Sequence, residues 1–157
     1  MIMKKILIAL DYDPTSEKVA ETGHALGKAL GAETILIHVI AAAVHYTSIK
    51  YPAMGFGGYM NINPSILDLV DEKLKQTSQD FLDHTKDRLS DKTIQTIVGE
   101  GDVAEAILKT AQKVNADIIV MGSHSRKWLE QIVVGSVTEK VLRHTTIPML
   151  VVPTKKK

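Results

Sequence analysis

Residues 4–40, KKILIALDYDPTSEKVAETGHALGKALGAETILIHVI, decide the fold. Lys4 to Leu10 is a near-continuous apolar run without polar alternation, the pattern of a strand buried on both faces of a parallel sheet. Asp13 and Pro14 then read as N-cap and first helical residue, because proline lacks only an N–H that would be unpaired there. Val19, Leu26 and Leu30 continue the helical face, and Gly31 stands where a left-handed C-cap is wanted. Thr34 to Ile40 is a second apolar run and contains His38. The order is strand, helix, strand.

The same alternation continues downstream. Leu67, Val70, Leu74, Phe81 and Leu89 form one stripe on a charged helix opened by Pro64 and Ser65, and Thr93 to Val98 follows as a short strand. Asp102 caps a helix with Val103, Ala106, Ile107, Ala111 and Val114 at three-and-four spacing. Asp117 to Met121 is a fourth strand, Ser136 caps a last helix bearing Val137 and Val141, and Ile147 to Val152 completes the sheet. Five strands alternating with four helices predict an α/β fold, a single-domain open parallel sheet of order 3-2-1-4-5 with helices on both faces. That order places a ligand crevice beyond the carboxyl ends of strands 1 and 4. One stretch breaks the pattern: Ala41 to Asn63 has neither periodicity, and holds Tyr46, Tyr51, Phe56 and Tyr59. It reads either as a segment covering a ligand or partner, or as a surface loop tucking aromatics onto the nearest helix.

Composition narrows the function. A chain of 157 residues is the size of one domain, here 1–154, with 155–157 as a solvated basic tail. Nineteen basic against eighteen acidic side chains leave no broad footprint for nucleic acid or anionic membrane. Without cysteine there are no disulfides, thiolate metal sites or cysteine nucleophiles. The first apolar run stops at Asp11, too short for a signal core or a membrane span, so the expected location is cytoplasmic.

The loop after strand 4 carries the chemistry. Met121 and Gly122 are followed by Ser123, His124, Ser125 and Arg126, and the loop returns through Gly135 and Ser136 into a helix. Glycine allows close approach of a phosphate to the backbone, and a helix N-terminus offers unpaired N–H groups with partial positive charge. Ser123, Ser125 and Ser136 add hydroxyl donors, Arg126 or Lys127 offsets phosphate charge, and His124 reads as a further loop donor. A tight turn followed by an ordinary serine cap is the plainer reading of the same residues.

Gly122, Ser125 and, nine residues on, Gly135-Ser136 resemble the G-x-x-G-x9-G-[S/T] motif of nucleotide-binding universal stress proteins, with serine at the second glycine. The resemblance extends to the first strand ending in Asp11, to Ile37-His38-Val39, to Gly101-Asp102-Val103-Ala104 and to the last strand. It implies a site for ATP, or ADP or AMP, with Mg2+ accompanying the phosphates. Asp11 and Val39 then lie near the adenosine, with Ala9 and Leu10 beside Asp11. Gly122, Gly135 and Ser136 hold ribose and phosphates, and Met121, His124, Ser125, Arg126 and Val137 are counted with them among the nucleotide-binding residues. It further implies a dimeric stress-response regulator without strong catalysis, self-associating through strand 147–152. Serine at position 125 favours the alternative of a nucleotide-independent scaffold of the same fold.

Enzyme readings find little support, and a weak ATPase or phosphotransferase is the least favoured alternative because no residue pair offers a general base beside a phosphate. Neither G-x-G-x-x-G after strand 1 nor G-x-x-x-x-G-K-[S/T] occurs, which argues against Rossmann dehydrogenases and P-loop NTPases. There is no G-x-S-x-G elbow around His124 and no H-E-x-x-H or similar spacing, so neither catalytic nor metal-binding residues are assigned. His38, inside an apolar strand, reads as a satisfied core histidine, Trp128 as a packing anchor, and Asp11 as either a ligand contact or a turn former.

Overall fold

The computed structural model describes residues 2–41, 64–123 and 134–154. Among them lie five strands, β1 (Lys5–Ala9), β2 (Glu33–Ala41), β3 (Gln95–Gly101), β4 (Ile118–Gly122) and β5 (Met149–Val152). Four helices separate them, α1 (Ser16–Leu30), α2 (Pro64–Arg88), α3 (Val103–Lys113) and α4 (Ser136–His144). All strands are parallel in the order β3-β2-β1-β4-β5, as the sequence predicts.

The solid apolar runs have a direct physical reason: successive side chains point to opposite faces, and both faces are covered. Ile6, Ile8, Leu10 and Leu36 pack with Val19 and Ala20 of α1 and Leu82 of α2. Leu7, Ile35, Ile37 and Val39 pack on the other side with Ala104, Ile107 and Ala111 of α3 and Val141 of α4.

Several boundaries differ from the sequence reading, each for a local reason. Helix α1 starts at Ser16 because Asp13 and Pro14 form a turn, in which the Asp13 carbonyl accepts from Ser16 N at 2.9 Å and its carboxylate accepts from Thr15 N at 2.9 Å. Thr15 is the N-cap. Gly31 does close this helix, at φ 63°. Leu30 is 41% exposed, and the sheet-facing side is instead lined by the small residues Ala20, Gly23 and Gly27. A Cβ on Gly23 would come 2.6 Å from Ile8 Cδ1, so glycine is what lets α1 lie this close to β1. On α2, Leu67 and Val70 are exposed, and the buried contacts come from Ser78 and Leu82.

Strand β3 begins at Gln95 because the Asp91 carboxylate takes both the N–H and the hydroxyl of Thr93, making a turn of that stretch. Strand β5 begins at Met149 because Thr145 Oγ1 accepts from Ile147 N at 2.9 Å. Asp102 caps α3 as predicted, accepting from Glu105 N at 3.0 Å, and this bond is the first cause holding its carboxyl below the ordinary aspartate range. At α4 the cap is Gly135, and Ser136 is the first helical residue. Residues 42–63, including the aromatic-rich stretch, lie outside the described residues, as do the terminal lysines. No described helix is long and apolar enough to cross a membrane.

Candidate functional site

At the carboxyl ends of the strands lies a cavity of about 640 Å³. Parallel strands with right-handed crossovers bring the starts of α1, α3 and α4 to this end, so helix N-termini and strand C-termini share one crevice. The end of β1 contributes Ala9, Leu10 and Asp11, and β2 contributes Ile37, His38 and Val39. Met121 and Gly122 enter from β4, and Gly135, Ser136 and Val137 from the start of α4. Nine of the residues named from sequence therefore lie around a single cavity: Ala9, Leu10, Asp11, Val39, Met121, Gly122, Gly135, Ser136 and Val137. His124, Ser125 and Arg126 lie outside the described residues.

The geometry refines the reason for the glycine at 135. Its φ of −57° is open to any residue, so the position does not need a left-handed backbone. What glycine contributes here is the absence of a side chain at a helix start that lines the cavity. Gly122 is tied to that helix, because Thr138 in the first turn of α4 donates from Oγ1 to the Gly122 carbonyl at 2.9 Å. The adjoining corner is held to β5, with Ser123 N donating to the Val152 carbonyl at 2.9 Å and Ser123 Oγ accepting from Thr154 N at 3.1 Å.

On the other side, Asp11 Oδ1 accepts from Asp13 N at 3.0 Å, so Asp11 shapes its own turn while lining the cavity. His38 is 6% exposed and its Nδ1 lies 2.8 Å from the Leu10 carbonyl, which makes Nδ1 the protonated nitrogen. Burial pushes its pKa below the ordinary histidine value, with the Leu10 bond opposing. Its ring lies against Tyr12 at 4.3 Å and Phe81 at 5.5 Å between centroids, and Tyr12 OH is 2.9 Å from Ser78 Oγ. The turn after β1 is thereby braced against α2.

Sequence reasoning passed over Thr15, Ser16 and Val19 at the start of α1, Val103 and Ile107 of α3, and Thr154 beyond β5. Once the strand order is predicted, every helix that starts at the carboxyl end of the sheet is a candidate lining element. That topological rule was the signal available for α1 and α3.

An open parallel sheet of order 3-2-1-4-5 with its cavity at the strand carboxyl ends defines a doubly wound α/β domain with its crevice at the topological switch point. The chain belongs to the universal stress protein family, whose family model matches residues 3–153. It is similar to Universal stress protein MJ0577 of Methanocaldococcus jannaschii, 32% identical over 161 residues, covering 99% of this chain and 98% of the relative. The solved structure of MJ0577 superposes with a TM-score of 0.73 at 29% identity, covering 100% of both chains. Two further solved structures share the fold. One is a universal stress protein in complex with cAMP, with a TM-score of 0.66, 16% identity and coverage of 99% and 100%. The other is the Archaeoglobus fulgidus universal stress protein in complex with dAMP, with a TM-score of 0.57, 16% identity and coverage of 96% and 98%.

Proposed function

We propose that this chain is an adenine-nucleotide-binding regulatory protein whose ligand, ATP or its hydrolysis products ADP and AMP, occupies the cavity between β1, β2, β4 and α4. The observation that carries the reading is that one cavity gathers Asp11 and Val39 on one side and Gly122, Gly135 and Ser136 on the other. The first pair gives a polar and an apolar contact suited to a nucleoside. The second set gives close backbone and a helix N-terminus suited to phosphate. Structural neighbours solved with cAMP and dAMP support an adenine base as the occupant. Where a triphosphate binds, Mg2+ accompanies it, neutralising phosphate charge.

We read the role as binding and not turnover, so that the occupied state signals to partners in the cytoplasm. Self-association completes the reading. Strand β5 is an edge of the sheet, and Met149, Leu150 and Val151 are only partly covered by the chain itself. A second copy pairing at this edge would cover them.

Thermal unfolding with and without ligand tests the binding claim. A ligand specific to the folded state raises stability by about 2.7 kcal/mol at a hundredfold excess over its Kd. Melting temperature is expected to rise with ATP and not with GTP. An unchanged melt at millimolar ATP, with bound nucleotide first removed, would instead favour the nucleotide-independent scaffold. Phosphate release indistinguishable from that of Gly135→Asp is expected, and release lost in that variant would overturn the non-catalytic reading.

A further inference from the structure

We propose that His24 and Asp91 form a proton-operated latch, which ties α1 to the turn between α2 and β3 when the imidazole is charged and leaves that contact open when it is neutral. The pair sits by Thr34 near the start of β2, at the amino end of the sheet and away from the cavity. The inference therefore does not depend on what the cavity binds.

Among the described residues, His24 Nε2 is the one fully buried side-chain nitrogen or oxygen without a hydrogen bond, in a residue 6% exposed. Buried polar atoms are nearly always paired, so this one calls for a physical reason. The other ring nitrogen, Nδ1, lies 3.2 Å from Thr34 Oγ1. Asp91 Oδ2 stands 3.4 Å from Nε2, close enough for an ion pair, yet no hydrogen bond forms. A neutral imidazole has one donor and one acceptor nitrogen, whereas the charged ring has two donors. Protonation therefore gives each nitrogen an acceptor already in place, Thr34 Oγ1 for Nδ1 and Asp91 Oδ2 for Nε2. The side chains are 7% and 20% exposed, so solvent ions screen their attraction little.

Asp91 is set up for this role. Its Oδ1 accepts from Thr93 N at 2.9 Å and from Thr93 Oγ1 at 2.6 Å, which leaves Oδ2 for His24, so the latch closes without breaking the turn. The Thr93 hydroxyl and then its N–H hold the Asp91 carboxyl below the ordinary aspartate range, and it stays ionised where a histidine titrates. Burial is the largest influence on His24 and keeps its pKa below the ordinary histidine value. Lys28, one turn further along α1, opposes protonation as well, Asp91 favours it, and β2 presents the uncharged Thr34 hydroxyl. The open form thus belongs to neutral pH and the latched form to acid. Because folding favours the neutral ring, its contribution to stability is complete above about 6.5 and declines as pH falls through the folded-state value, and Asp91 limits that decline.

Titration of the His24 ring by NMR in wild type and Asp91→Asn tests the latch, since asparagine keeps an oxygen for Thr93 and removes the charge. His24 is expected to titrate below its ordinary value in wild type and about one unit lower still in Asp91→Asn. Urea unfolding at pH of about 7.5 and about 5.5 supplies a second reading. Asp91→Asn should lower the midpoint more at the acid pH when His24 is present, and equally at both when His24 is replaced by glutamine. A role in packing alone would not make the cost of Asp91→Asn depend on pH. Identical titration of His24 in the two proteins, a ring that stays neutral down to acid unfolding, or a midpoint loss independent of pH with His24 present would each overturn the proposal.

Discussion

Replacing Thr138 by valine isolates the bond that ties the start of α4 to the end of β4. Thr138 is 4% exposed, and its hydroxyl donates to the Gly122 carbonyl at 2.9 Å. Valine keeps the branched shape and removes the donor, so the change is confined to one hydrogen bond. Such a bond contributes about 1 kcal/mol net, and a carbonyl left without a donor raises the cost to about 1–3 kcal/mol. Gly122 is only partly buried, and water reaching its carbonyl places the expected loss near the lower end, about 1–1.5 kcal/mol. With a urea dependence of about 2 kcal/mol per molar, the unfolding midpoint should fall by roughly 0.5–0.8 M. Thr138→Ser, which keeps the hydroxyl, should recover most of that loss. Because the same bond positions Gly122 against Gly135, ATP affinity should fall in Thr138→Val and recover in Thr138→Ser. A valine variant with the wild-type midpoint, or a serine variant as weak as valine, would refute the assignment of this bond.

Gly23→Ala should destabilise the fold, because its Cβ meets Ile8 Cδ1 at 2.6 Å and Val120 Cγ1 at 3.2 Å. An overpacking cost of about 1–3 kcal/mol outweighs a helix-propensity gain of about 1 kcal/mol, and a raised midpoint in chemical denaturation would show that α1 simply shifts. Acidification should also destabilise. The folded-state pKa of His38 is depressed by burial, so the unfolded chain binds more protons below its ordinary value of about 6.5. The contribution is therefore complete above that pH and declines as pH falls through the folded-state value. Melting temperature should drop between pH of about 7.5 and about 5.5, and the drop should shrink in His38→Gln; an equal drop in both would remove His38 from the account. Val151→Lys places a charge on the β5 edge and should shift sedimentation from dimer toward monomer. A profile unchanged by that substitution would exclude this edge as the interface.

The fold was legible because the sheet is buried on both faces. Leu7, Ile35 and Ile37 serve one layer and Ile6, Ile8 and Leu36 the other, so β1 and β2 read as unbroken apolar runs. Helix faces were less legible where packing uses small residues. The sheet side of α1 is marked by Gly23 and Gly27, which a search for large apolar spacing passes over in favour of the exposed Leu30. Strand starts moved where a side chain captured the backbone, as Asp91 does at Thr93 and Thr145 does at Ile147. The candidate site was legible from strand order, which brings Asp11, Gly122 and Gly135 to one crevice although they are far apart in the chain. Ser16 and Thr154 carry no motif, and only the packing of α1 beside the end of β5 brings them there.

The most direct test of the central claim is calorimetric titration of nucleotide-free protein with ATP, with Gly135→Asp as control. At φ −57° and ψ 150° aspartate fits the backbone and is itself a favoured N-cap, so the variant should fold while placing a carboxylate where the phosphates would sit. Micromolar binding of ATP by wild type, lost in the variant, is the predicted result; no heat at millimolar ATP, or equal binding by both proteins, would contradict it.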